Sequence, residues 1–348
     1  MSISVQIKKK LRSFTLSISF EGRGEPLGFL GASGCGKSMT LGCLAGILTP
    51  DEGKIIMNDR VLYDSSCGIN LTPRERNIGM LFQSYALFHN ITVSENIGVG
   101  IRRRMGKEKI TRELLELFRL TELQNRYPGQ LSGGEQQRTA LARMLAYEPE
   151  ALLLDEPFSA LDSYLKEELL QELEDILRNY HKDIIMVSHN TEELYRLCDR
   201  IAVIDQGQVL EIDSKIRIFD KPEYHRTAKL LGVRNLSRAV KRSEFEVEAI
   251  DWGLCLKTVH RVEEEIHYVG IRSEDMRVCG PGTENSLPVS LCHIVDGPRE
   301  LRLIFRNNAR YDTGNLIHWT VPCNRSRKSG EEKPTYFQLP KEQLLLLK

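Results

Sequence analysis

Short apolar runs and helically spaced apolar positions alternate along the chain up to about residue 235. The runs predict strands near 14–20, 26–30, 53–57, 78–82, 151–155, 184–188, 201–204 and 208–212. Between them, Met39, Leu41, Leu44, Ala45 and Leu48 recur at helical spacing, and the stretch from about 88 to 148 reads mainly helical, as in 111–118. Alternation of this kind predicts an α/β domain over 1–235, a parallel sheet with some antiparallel edge, and a helical subdomain over about 88–148. Beyond it the texture changes to short β-rich runs, such as 265–271 and 300–305, broken by Gly, Pro and Asn. Residues 236–348 are therefore expected to form a small all-β domain, a barrel or paired barrels.

One loop carries the first chemistry. Gly31-Ala32-Ser33-Gly34-Cys35-Gly36-Lys37-Ser38 fits the phosphate-cradling pattern G-x-x-x-x-G-K-[ST] without a gap. A predicted strand precedes it and a helix opens at Met39, a context that a chance glycine-rich turn would lack. The glycines let successive N–H groups face one anion, and the helix N-terminus adds partial positive charge. Lys37 is placed to reach the β- and γ-phosphates and Ser38 to hold Mg²⁺, so ATP with Mg²⁺ is the expected ligand.

Two further constellations follow. The apolar run 151–154 ends in Asp155 and Glu156, adjacent carboxylates that are costly unless a cation or a proton-transfer role balances them. Asp155 suits the metal, and Glu156 is placed to polarise an attacking water. A solvated strand end is the plainer alternative. Then Ser132, Gly133 and Gly134 open another helix, a second anion-seeking terminus, with Glu135 completing a capping box.

With Leu131-Ser132-Gly133-Gly134-Glu135 followed by Gln136-Gln137-Arg138, the chain resembles the ATP-binding cassette ATPases of membrane transporters. The resemblance implies a P-loop ATPase core, and two copies that pair head to tail so that Ser132, Gly133, Gly134 and Glu135 of one serve the other's nucleotide. It implies that Gln83 touches Mg²⁺ and water while sensing the membrane partner, and that His189 contacts the γ-phosphate. Ser159-Ala160-Leu161-Asp162 is similar to the loop that crosses the dimer, with Asp162 acting in trans. The implied catalytic set is Glu156, His189 and Gln83, and the implied Mg²⁺ set is Ser38, Gln83 and Asp155. One departure stands out: the aromatic residue on which the family stacks adenine has no tyrosine counterpart here. Phe14 is the only nearby ring, and its phase with Leu16, Ile18 and Phe20 leaves adenine stacking and strand packing both open.

Composition adds limits. Lys and Arg number 48, as do Asp and Glu, which gives no electrostatic case for nucleic acid. No apolar stretch approaches a membrane span, and the opening residues lack a signal-peptide core. Eight cysteines without a C-x-x-C pair imply neither a zinc site nor a disulfide frame, as expected in a reducing cytosol. Membrane attachment is thus expected through partners, which the resemblance implies to be transmembrane permease subunits at the cytoplasmic face and, indirectly, an extracytoplasmic solute-binding protein. Tyr85, Leu87 and Phe88 either line a groove for a permease helix or belong to the subdomain core. The charged run 102–109 reads as a solvated loop or as a segment near lipid headgroups.

Gly270-Ile271-Arg272-Ser273-Glu274-Asp275 resembles a segment of the C-terminal TOBE-like barrel of importer ATPases, with Ser273 in place of a proline. Within that branch, 60–79 and 336–347 look most like molybdate-importer ATPases; sulfate, tungstate and ferric ion remain open as cargo. A regulatory reading has the barrel bind the transported oxyanion and slow the ATPase. Soluble cassette ATPases of DNA repair carry a coiled-coil insertion for which the interval between Gln83 and Ser132 leaves no room, and translation-type cassette proteins carry two motif sets against one here.

Overall fold

The structure, a computed structural model, describes residues 2–102, 105–159, 163–178, 180, 182–297, 300–309, 316–322 and 333–348. The chain divides into two compact units, Met1–Lys215 and Ile216–Lys348. The expected boundary near 235 lies later than this division. Residues 216–234 join the second unit because Ala228 and Val233 bury against Leu345 and Leu347, and His225 donates its N–H to the carbonyl of Lys348.

In the first unit the described strands are β1 (Ile3–Lys10), β2 (Thr15–Gly22), β3 (Leu27–Leu30), β4 (Glu52–Met57), β5 (Arg60–Asp64), β6 (Ile69–Asn70), β7 (Ile78–Leu81), β8 (Ala151–Asp155), β9 (Asp183–Val187), β10 (Arg200–Asp205) and β11 (Gln208–Ser214). They form one sheet in the order β6-β5-β4-β1-β2-β11-β10-β3-β9-β8-β7. Strands β10, β3, β9, β8 and β7 run parallel. β3 and β9 are buried throughout, as continuous apolar runs covered on both faces must be. The flank from β6 to β2 is antiparallel, and β1 alternates buried Ile3, Val5 and Ile7 with exposed Ser4, Gln6 and Lys8.

The two parts of the sheet meet at a single parallel pair, Gln208 with Ser17. Gly207, at φ +81°, stitches that junction: its carbonyl accepts from the Ser17 N–H at 2.6 Å, and its N–H donates to the Cys35 carbonyl at 3.0 Å. A Cβ there would lie 2.6 Å from the Phe14 ring, so only glycine fits.

Helices α1 (Lys37–Ala45), α2 (Pro73–Arg76), α3 (Val93–Gly100), α4 (Lys107–Leu117), α5 (Gly133–Ala146), α6 (Ser163–Arg178) and α7 (Thr191–Leu197) complete the unit. Among the described residues 88–148 contain helices and short 3₁₀ turns and no strand. Arg76 is a fully buried charge. It donates to the carbonyls of Cys43 at 2.6 Å and Leu44 at 2.9 Å, closing the end of α1, and to Leu71 O and Asn70 Oδ1. Burial lowers its pKa, but four acceptors satisfy the guanidinium.

The second unit opens with two short helices, α8 (Lys215–Asp220) and α9 (His225–Leu230), and continues as two five-stranded sheets. Trp252, Val247, Val269, Phe305 and Phe337 bury in one shared core, as expected for a β-rich domain. The last strand, Leu345–Leu347, runs antiparallel to Tyr268–Ile271, with Leu345 opposite Gly270 and Leu347 opposite Tyr268.

Candidate nucleotide site

The parallel register brings the predicted site residues to one edge of the sheet. Leu81 pairs with Leu154, while Phe29 and Asp155 both pair with Val187. Gly31, Asp155, Glu156, His189 and Gln83 therefore all leave the carboxyl ends of neighbouring strands, where open α/β sheets bind ligands.

The loop after β3 is tightly set. A Cβ on Gly31 would lie 2.2 Å from the Ile204 carbonyl oxygen, so the backbone approaches β10 as closely as glycine allows. Gly34 and Gly36 take φ +80° and +110°. Ala32, Ser33, Gly34 and Ser38 are exposed, whereas Cys35, Gly36 and Lys37 are buried. The Lys37 ammonium donates to the carbonyls of Gly31 at 2.7 Å and Ala32 at 3.0 Å. Burial pushes the Cys35 thiol up, with neighbouring Lys37 pulling the other way. Met39 is partly buried against the core.

Ser38 Oγ donates to Asp155 Oδ1 at 2.9 Å, joining the phosphate loop to the end of β8. Burial chiefly, and the Glu156 charge in addition, raise the Asp155 pKa, while the Ser38 bond opposes the shift. Glu156, at φ +46°, gives its N–H to Val187 O at 2.9 Å. Its Oε2 lies 3.4 Å from His189 Nδ1, so the structure pairs these two residues. His189 is mostly exposed and Glu156 is not. An oxygen-only set, a hydroxyl bonded to a carboxylate whose charge is penalised by burial, fits a hard cation such as Mg²⁺. Because ionised Asp155 is penalised at neutral pH, Asp155→Asn is expected to raise the melting temperature without metal and to weaken Mg²⁺-dependent ATP binding. The gain should vanish as pH falls through the raised pKa, where the native carboxyl is already neutral; paired melts at about pH 4 and about pH 7.5 check this.

Other predicted residues stand apart from this cluster. Gln83 is exposed and lies two positions beyond the Leu81–Leu154 pair, as Glu156 does on its own strand, with no hydrogen bond to the cluster among those described. Ser132 caps α5: Glu135 Oε2 accepts the Ser132 N–H at 2.7 Å. Gly133 is exposed and Gly134 buried. Asp162, with Ala160 and Leu161, lies outside the described residues. Phe14 precedes β2 in a turn, half-buried, its ring against Gly207 and 3.6 Å from where a Cβ on Gly36 would stand. Tyr85 and Leu87 are buried, so they belong to the core, while Phe88 and Phe82 remain exposed. Within 102–109, Lys107 already begins α4, and Arg102 lies 3.7 Å above the Tyr147 ring.

The sequence reading missed the support behind His189. Ser188 is buried, bonds to the Glu193 carboxylate and accepts the Asn190 N–H at 2.9 Å, while Asn190 caps α7. Asn190 followed three positions later by Glu193 is a helix-start signal that would have revealed it. In the second unit a cavity of about 840 Å³ is lined by Arg217, Lys221 and Arg272 but equally by Asp220, Glu263 and Asp275, a mixed lining that does not favour an oxyanion.

A glycine loop between strand and helix, with a hydroxyl–carboxylate pair and a second carboxylate at the same sheet edge, defines a P-loop nucleotide-binding α/β protein. A family model described as ABC transporter matches residues 14–159. The chain is 39% identical over 264 residues to the spermidine/putrescine import ATP-binding protein PotA of Clostridium acetobutylicum, covering 74% of this chain and 73% of that one. It is 38% identical to the sulfate/thiosulfate import ATP-binding protein CysA of Mannheimia succiniciproducens, covering 68% of each. It is 42% identical to the Fe(3+) ions import ATP-binding protein FbpC of Haemophilus influenzae, a match that spans 60% of the length of that relative. A solved dimeric, post-hydrolysis ATP-binding cassette bound to ADP and Pi superimposes with a TM-score of 0.52 at 27% identity, covering 62% of this chain and 99% of that one. The chain belongs to the ABC transporter family.

Proposed function

We propose that the chain is the ATP-hydrolysing subunit of an importer for a small solute, working as a head-to-tail dimer at the cytoplasmic face of the membrane beneath its permease subunits. The observation that carries this reading is the joined pair of contacts at one sheet edge, Ser38 to Asp155 and Glu156 to His189. Bound Mg²⁺, held by Ser38, Asp155 and Gln83, would neutralise the phosphate oxygens. The loop amides and Lys37 hold the triphosphate, Lys37 exchanging its two carbonyl acceptors for phosphate oxygens. Glu156 takes the proton of the attacking water, and His189, within reach of that carboxylate, keeps it oriented and meets the γ-phosphate. Ser132 to Glu135 and Asp162 of the second copy close the pocket, and Phe14 is placed to support adenine. Loss of the γ-phosphate parts the copies, which is switching by ligand-dependent contacts.

For cargo, relatives named for ferric ions, polyamines and sulfate span three chemistries, so the cassette does not set it. Our reading is molybdate, supported by the sequence of 60–79 and 336–347. The test is co-purification in mild detergent, with Mg²⁺-dependent ATP hydrolysis measured on the complex. An attached permease whose solute-binding protein takes molybdate is the expected result. Absence of hydrolysis would sink the enzymatic reading, and a different ligand would replace the cargo alone.

A further inference from the structure

The loop that follows Gln83 is held in a backbone conformation that side-chain-bearing residues rarely adopt. Tyr85 and Ala86 are consecutive and both left-handed, at φ +60° and +48°. Tyr85 is buried, and its hydroxyl has no hydrogen-bond partner among the described residues, so no hydrogen bond from its side chain offsets the strain. The carbonyls of the same two residues are held instead. Arg143, in the last turn of α5, donates through Nη1 to Ala86 O at 2.8 Å and through Nη2 to Tyr85 O at 3.0 Å. Its guanidinium also faces the Phe88 ring at 5.4 Å. The planar fork suits two adjacent acceptors in a way that an ammonium does not.

The loop is secured from its other side as well. Asn96 of α3, fully buried, accepts the Phe88 N–H at 2.9 Å and donates to the Phe88 carbonyl at 3.0 Å. Helix α3 backs onto the clamp, because a Cβ on Gly100 would lie 2.3 Å from the Arg143 carbonyl oxygen. The segment after Gln83 is thus carried by the helix whose first turn holds Ser132 to Glu135.

We propose that Arg143 is a positioning residue of the nucleotide site: by gripping the left-handed pair Tyr85–Ala86 it fixes where Gln83 stands relative to the first turn of α5. A shift at that turn reaches Gln83 through one rigid helix and two hydrogen bonds. This rests on the ATP-hydrolysing reading above and adds a residue that touches neither nucleotide nor metal.

The test is Arg143→Gln in the full chain, alone and combined with Ala86→Gly, which removes the left-handed cost at position 86. Misplacing Gln83 is expected to lower kcat about a hundredfold while KM for ATP stays within about twofold. Hydrogen exchange of amides 84–88 should quicken, and Ala86→Gly should restore a large part of the lost kcat. Arg143→Lys should fall between, and it carries the comparison where Arg143→Gln does not fold. Wild-type kcat in Arg143→Gln overturns the proposal, as does a loss of kcat and affinity together that Ala86→Gly leaves untouched, since that marks a merely structural role. Where the native chain itself hydrolyses no ATP, the enzymatic reading falls separately, and unchanged exchange of 84–88 in the variant overturns the clamp.

Discussion

Glu156→Gln is expected to bind ATP with native affinity, to hydrolyse it about 10²–10⁴-fold more slowly, and to accumulate as a nucleotide-bound dimer. The substitution keeps the size of the side chain and its reach to His189 Nδ1, 3.4 Å from Oε2 in the native chain. It removes the carboxylate that the proposed mechanism uses to take a proton from water. Asp155 is poorly suited to substitute: its carboxylate already accepts from Ser38, and the proposed mechanism assigns it to the metal. Single-turnover hydrolysis, with light scattering to follow the dimer, checks both halves, and near-native turnover would remove Glu156 from the mechanism.

Gly31→Ala is the second large effect. The added methyl would lie 2.2 Å from the Ile204 carbonyl oxygen and 2.7 Å from Cys35 Sγ. A strand carbonyl cannot swing aside, so the phosphate loop must move, at a cost of about 3 kcal/mol or more. ATP affinity is expected to fall more than about a hundredfold, with a lower melting temperature. Gly129→Ala is the control, since nothing among the described residues lies within 4 Å of its Cβ position. Equal behaviour of the two variants in ATP titrations would refute the close-approach argument.

Much of this architecture was legible because the residues that do chemistry sit where an apolar run stops. The runs before Gly31, Glu156 and His189 end in motifs that also end strands, so pattern and chemistry marked the same positions. β1 escaped notice although Ile3, Val5 and Ile7 alternate cleanly, because the alternation is short and runs straight into the three charges of Lys8, Lys9 and Lys10. Tyr85 and Phe88 are alike in sequence, and only packing separates the buried ring from the exposed one. Arg143 and Arg76 were invisible for a related reason. Each satisfies backbone carbonyls far away in the chain, and carbonyls carry no signal in the sequence. The division at Lys215 was obscured because 216–230 holds two short helices and reads as a continuation of the α/β alternation, though its apolar partners arrive only at the end of the chain.

The stitch at Gly207 has a thermodynamic corollary. One residue both sews the antiparallel flank to the parallel strands, through its carbonyl, and anchors the Cys35 carbonyl of the phosphate loop, through its N–H. Occupancy of the pocket and continuity of the sheet are therefore linked functions: a ligand that steadies the loop also tightens the seam, and a looser seam taxes affinity in equal measure.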